Sequence, residues 1–169
     1  KLETSATFLV DVDKINVKEL LNLWPVDFKE SVYVWMNNNS KGEIFNVLLS
    51  MNIFKTDDEF SFENLKGKFD FNNTKIRYME SMPAVENIYG FAKIKNDEII
   101  FTINSGQSQN LNIKNGIVKL KDLDSDFENA DVFLEIFSSN QDVIKYLDIS
   151  PINRKNFSKP KFKWIIYSN

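Results

Sequence analysis

From Glu43 to Phe137 the apolar residues fall at about every second position, in runs separated by a few turn-forming residues. A period of two sends successive side chains to opposite faces of a strand, so the stretch predicts strands with one apolar face each. Phe45, Val47, Leu49, Met51 and Ile53 mark the first, against Asn46, Ser50 and Asn52 on its other side. After the acidic turn Asp57-Asp58-Glu59, the residues Leu65, Gly67, Phe69 and Phe71 resume the alternation. Asn72-Asn73 closes that strand, and a return strand begins at Ile76 and Tyr78. Further strands are predicted over 89–95, 99–104, 110–114, 117–123 and 130–137, divided by Asn96-Asp97, Gly106 and Asn115-Gly116. Asn115-Gly116 is the strongest hairpin signal in the chain. Parallel neighbours need crossovers of about a dozen residues, and none is available between Glu43 and Phe137, so the sheet is expected to be an antiparallel meander.

The flanks read differently. Residues 6–13 form a weak strand, and Asn16 stands three before Glu19, the spacing of a capping box. Val17, Leu20, Leu21 and Trp24 then repeat at helical spacing until Pro25, which predicts a helix over about 16–24. Asp27 and Glu30 repeat the capping signal for a second helix over about 27–38, with Phe28, Val32, Trp35 and Met36 on one stripe. Asn140 is placed to cap a third helix over about 140–148, carrying Val143, Ile144 and Leu147 and ended by Pro151. A last strand is predicted over 162–167. The fold class is therefore mainly β with short helices, a β-rich α+β arrangement in one domain over 1–169, since 169 residues with 43% hydrophobic content build one core comfortably and two poorly.

Composition excludes several chemistries. The chain has no Cys and no His, which removes thiol nucleophiles, imidazole bases, Ser-His-Asp triads and the usual zinc sites. A net charge of -3 is too small to favour a nucleic-acid partner. There is no phosphate-binding glycine loop. The apolar runs fall far short of the ~20 residues of a spanning helix. A chain beginning at Lys1 without a Met reads as a piece of a longer protein.

Trp24-Pro25, Trp35, the 37–39 Asn run and Gly42 resemble a segment near the front of the AsmA-like envelope proteins of Gram-negative bacteria, of the YhdP and TamB type. Tyr78, Met82-Pro83, Val85 and Gly90-Phe91-Ala92 stand where that family has an aromatic, a Pro and a Gly-x-Ala hairpin. The strand of Ile99, Phe101 and Ile103 and the Asn115-Gly116 pair follow in the same order, so the likeness covers roughly residues 7 to 150. Greater richness in Asn and Lys sets this chain apart from the family. The resemblance implies a curved antiparallel sheet whose concave face is an apolar groove for phospholipid. It also implies a parent protein anchored in the inner membrane by an N-terminal helix absent here, with the groove in the periplasm among the remaining domains of that protein. It brings no catalytic residues, cofactor or metal, and so no enzymatic activity.

Parity nominates the groove residues as Phe45, Val47, Leu49, Phe69, Phe71, Ile99, Phe101, Ile103, Leu111 and Ile113. Each acyl methylene shielded from water is worth about 0.8 kcal/mol, so ten are worth roughly 8 kcal/mol, and a groove must cover them while the headgroup stays wet. The same alternation also fits a closed core packed beneath the three helices, in a structural or protein-interaction module whose edges recruit a further strand. Other constellations carry less. Asp122, Asp124 and Asp126 begin like a calcium loop, but Phe127 and Phe133 occupy the positions where such a loop needs Gly and Glu, which leaves a solvated acidic turn. Asp57, Asp58 and Glu59 sit side by side on a turn and do not make an opposed acid–base pair. Arg154, Lys155, Lys159, Lys161 and Lys163, interleaved with Phe157, Phe162 and Trp164, fit either attraction of anionic headgroups or protection of a strand edge.

Overall fold

The computed structural model describes residues 3–22, 30–56, 59–78, 80–122, 129–149 and 162–167. The chain runs β1 (Glu3–Asn16), α1 (Val17–Asn22), α2 (Glu30–Asn39), β2 (Ser40–Thr56), β3 (Glu59–Ile76), β4 (Val85–Lys95), β5 (Glu98–Ser108), β6 (Leu111–Lys121), β7 (Asn129–Phe137), α3 (Asn140–Leu147) and β8 (Phe162–Tyr167). All eight strands form one sheet in sequence order. The seven from β1 to β7 are antiparallel, as the short connections require, while β8 joins β7 in parallel. This corrects the expectation of a wholly antiparallel sheet, and the reason lies in the length of the connection: α3 stands in the chain between Phe137 and Phe162, a separation long enough for the crossover that a parallel neighbour needs.

Helix signals are honoured where they can be followed. The backbone N–H of Glu19 donates to Asn16 Oδ1 at 2.9 Å and that of Asn16 to Glu19 Oε2 at 3.1 Å, the reciprocal pair of a capping box. Val17 and Leu21 of α1 are buried, while Trp24, Pro25 and Phe28 lie outside the described residues. α2 starts at Glu30, and its Trp35 is 38% exposed instead of belonging to a buried stripe. α3 is capped by Ser139, whose Oγ accepts from the backbone N–H of Asp142 at 3.2 Å, and not by Asn140. The residue that α3 buries beside Val143 is Tyr146, whereas Ile144 is 59% exposed. A cap one residue earlier and an aromatic at i+3 from Val143 account for the shift in face.

The strands are longer than predicted because three of the expected breaks lie inside them. Asn72-Asn73 sits within β3, Gly106 within β5 and Asn115-Gly116 within β6, and the β5–β6 turn is made by Gln109 and Asn110. Asn96-Asp97 is a turn as read. The misplaced breaks share a cause. In five consecutive strands two outward residues stand side by side between inward ones: Phe45-Asn46 between Ile44 and Val47, Asn72-Asn73 between Phe71 and Thr74, and Glu86-Asn87 between Val85 and Ile88. Asn104-Ser105 and Lys114-Asn115 continue the series in β5 and β6. The pairing register shifts at each of these places. Three of the doublets hold an Asn in the left-handed region, Asn46 (φ 51), Asn73 (φ 50) and Asn87 (φ 51). Asn is the side-chain-bearing residue that best tolerates that conformation, which serves a bulge as well as a turn. A line of bulges therefore creases the sheet.

Apolar residues gather on one face along the crease. Ile44, Val47, Phe71, Ile88 and Ala92 form one buried cluster, and Met82, Leu111, Ile113, Ile136, Val143 and Tyr146 form another. Val85 and Ile103 pack against both and join them. The strand glycines relieve crowding there: a Cβ on Gly90 would stand 2.0 Å from the Thr102 carbonyl oxygen and 2.8 Å from the Phe71 ring, and one on Gly116 2.4 Å from Leu134 Cδ2. Their absence of a side chain lets Phe71 and Leu134 lie flat on the backbone. The other face carries ion pairs such as Lys14–Glu43 at 2.7 Å and Lys119–Glu98 at 2.7 Å.

Candidate functional site, the apolar face of the sheet

Nine of the ten nominated residues share the apolar face, and the crease divides them by environment. Val47, Phe71, Leu111 and Ile113 are buried in the two clusters. Leu49, Phe69, Ile99, Phe101 and Ile103 are half-buried. Phe45 is on the opposite face: it pairs with Lys14 and Asp70, and the Lys14 Nζ lies 5.4 Å from its ring centroid. The bulge at Asn46 reverses the alternation, so Ile44 takes the inward place that parity assigned to Phe45.

Register completes the half-buried set. Gly67 pairs with Ile94, Phe69 with Ala92, Ile94 with Ile99 and Ala92 with Phe101. Leu120 stands opposite Ile99, and Val118 stands between Phe101 and Val132. Ile94, Val118, Leu120 and Val132 are half-buried like their neighbours, and they extend the strip to β7. The strip thus crosses five inter-strand spacings of about 4.8 Å each, roughly 24 Å. Its middle is aromatic: Phe69, Phe71 and Phe101 have ring centroids 6.3 to 6.4 Å apart, with the Phe69–Phe101 pair edge to face. The helices pack elsewhere, α1 and α2 by β1 and β2, and α3 through Val143 and Tyr146 on the Leu111–Ile113–Ile136 group. Val118 and Leu120 were missed because a turn at Asn115-Gly116 would separate them from Ile113. The alternation of β4 and β7 was visible and would have supplied Ile94 and Val132.

Polar groups at the covered end are few and bonded. The Tyr78 and Tyr146 hydroxyls lie 2.7 Å apart, and Ser108 Oγ donates to the Ala84 carbonyl at 3.1 Å. Burial first, and then the bond to Tyr146, holds the Tyr78 phenol well above its ordinary range, so Tyr78 stays neutral. Asp142 is held below the usual carboxylate range by the Ser139 hydroxyl and then the Asn110 amide, which fixes the start of α3. Among the described residues no group of three or more acidic side chains is placed to hold a metal ion, and no helix is long and apolar enough to cross a membrane. Asp124, Asp126, Asp57, Asp58 and the basic stretch from Arg154 to Lys161 lie outside the described residues.

Comparison with family models, with curated proteins and with solved structures finds no match to this chain. The class that can be stated is accordingly one of architecture: a mainly antiparallel, open β-sheet with a few short helices.

Proposed function

We propose that this chain is a non-enzymatic, lipid-handling segment of an AsmA-like inter-membrane bridge. Its apolar face shields phospholipid acyl chains between inner and outer membrane, in the periplasm, within a parent protein anchored in the inner membrane. The observation that supports the reading is the half-buried strip from Leu49 through Phe69 and Phe101 to Val132, a continuous apolar surface on which no helix packs among the described residues. Transfer of an acyl chain from bilayer to such a surface exchanges one apolar environment for another and is near neutral, whereas water exposes each methylene at about 0.8 kcal/mol. A one-layer sheet leaves the headgroup free to stay in water.

The second reading, a structural or protein-interaction module, draws on a different observation. β1 is an edge strand of 14 residues with Phe8 55% and Leu9 78% exposed, which suits strand addition by a partner. The test that separates the two is mass spectrometry of organic extracts from the chain purified out of a bacterial periplasm, beside folded Phe101→Asp and Leu49→Asp variants. Phospholipid retained by the parent and lost from both variants is the expected result. Lipid absent from the parent would turn the assignment toward the interaction module, and lipid equally present in the variants would remove it from this strip.

A further inference from the structure

Two rows of side chains cross the polar face from β1 to β5. One is Leu9, Ser50, Lys66, Lys95 and Glu98, and the other is Asp11, Leu48, Lys68, Lys93 and Ile100, each residue opposite the next. Together they line a concavity of about 810 Å³, within the size range of small-ligand sites. At its centre Lys66 faces Lys95 and Lys68 faces Lys93, an arrangement that places like charges directly opposite one another and destabilises the pairing. Three other lysines on this face are neutralised, in Lys14–Glu43 at 2.7 Å, Lys119–Glu98 at 2.7 Å and Lys121–Asp131 at 2.5 Å, while Lys114 lies 4.3 Å from the Phe137 ring centroid. None of the central four has an ion-pair partner among the described residues, and Lys93 only rests over the Phe91 ring at 5.9 Å. The nearest acids in the rows are Asp11 at one end and Glu98, engaged by Lys119, at the other. All four lysines are exposed, in a chain whose net charge is -3, so the positive patch is a local feature and not a reflection of composition.

The walls of the concavity are aliphatic. Leu9 is 78% exposed and Leu48 39%, with Ile100 half-buried beside Lys93. Four ammonium groups with no ion-pair partner among the described residues, beside exposed aliphatic side chains, are complementary to a molecule with an anionic head and an apolar body. We propose that this concavity binds a phosphate-bearing amphiphile of net negative charge, its anionic group among Lys66, Lys68, Lys93 and Lys95 and its aliphatic part on Leu9, Leu48 and Ile100. The four lysines lie on the opposite face from the Phe69–Phe101 part of the strip, while Leu49 and Ile94, between the two rows, line the concavity as well, so Phe101 and not Leu49 is the position that tests the two roles apart.

The test is a titration of the isotope-labelled chain, followed by amide shifts in β3 and β4, with soluble dihexanoyl phosphatidylglycerol, its net-neutral phosphatidylcholine counterpart and inorganic phosphate. The anionic lipid should bind about tenfold or more tightly than the neutral one and weaken steeply as salt rises. A Lys68→Gln/Lys93→Gln variant should lose about tenfold or more in affinity while its urea midpoint stays level or rises, because a like-charged pair has been removed. Leu48→Ser should weaken the lipid and leave inorganic phosphate unchanged. Flotation with phosphatidylglycerol vesicles then distinguishes the source: co-flotation assigns a bilayer headgroup, and binding of the soluble lipid alone assigns a free amphiphile. Equal affinity for the two lipids, or undiminished binding by the double lysine variant, overturns the proposal. Phe101→Asp should leave these titrations unaltered, whatever it does to lipid retained from the periplasm.

Discussion

The crease makes Asn46 replaceable by Gly but not by Val. Its φ of 51° lies where a Cβ crowds the following carbonyl, at a cost of about 1–2 kcal/mol for an ordinary L-residue and most for a β-branched one. Its side-chain amide also donates to Asp70 Oδ2 at 2.7 Å, an exposed bond whose loss adds about 0.5 kcal/mol. Asn46→Val should therefore cost about 1.5–2.5 kcal/mol, even though Val is otherwise the better strand residue. Asn46→Gly loses the bond and relieves the backbone, so it should cost about 0.5 kcal/mol or less. Asn112 in β6 is the control, since it is an exposed strand Asn outside the left-handed region, and Asn112→Val should fall within about 0.5 kcal/mol of the parent. Urea unfolding followed by circular dichroism reads these values as midpoints, with Asn46→Val lower by about 0.5–1 M and the other two little changed. A Val at 46 that costs no more than a Val at 112, or a Gly at 46 that costs as much as the Val, would refute the role given to the bulge.

Phe71→Ala should cost about 3–5 kcal/mol, because the ring is buried and the Gly90 backbone beneath it cannot move in to fill the space; Phe101→Ala, half-buried, should cost clearly less in the same urea assay. Tyr78 is neutral in the folded chain and its phenol is harder to ionise there than in the unfolded chain, so its contribution to stability is complete below about pH 10 and is lost as pH rises beyond it. Thermal unfolding across the alkaline range should show that fall, and Tyr78→Phe should flatten it at the expense of stability below pH 9. Asn16→Ala should cost about 1 kcal/mol by removing the acceptor for the Glu19 N–H, with the loss seen as faster amide exchange in α1.

Much of the sheet was legible because alternation and turn chemistry are local. The 162–167 strand, the Asn96-Asp97 turn and the Asn16–Glu19 cap all needed only neighbouring residues to be read. What escaped was the use to which an Asn is put. The same tolerance of positive φ that ends a strand at Asn96 bends one at Asn46, Asn73 and Asn87, and only the partner strand decides between them. One misjudged Asn moved Phe45 to the wrong face, and another cut Val118 and Leu120 off from the surface they belong to. The abundance of Asn, which looks like compositional noise, is in part the means by which the sheet bends. The Lys66–Lys95 and Lys68–Lys93 oppositions were hidden for a related reason, since cross-strand partners depend on register and four lysines scattered over 30 residues show no pattern in the chain.

The strict order of the strands has a consequence for how such a sheet can change size. From β1 to β7 every strand pairs only with its neighbours in the chain, so no strand is threaded between two distant ones. A hairpin inserted at the Asn96-Asp97 turn would widen the sheet by two spacings, about 10 Å, without rerouting any other connection. Removal of one would narrow it by the same step. Length in this architecture is a modular quantity, open to duplication and loss of hairpins in a way that a closed sandwich or barrel, whose edges must meet, is not.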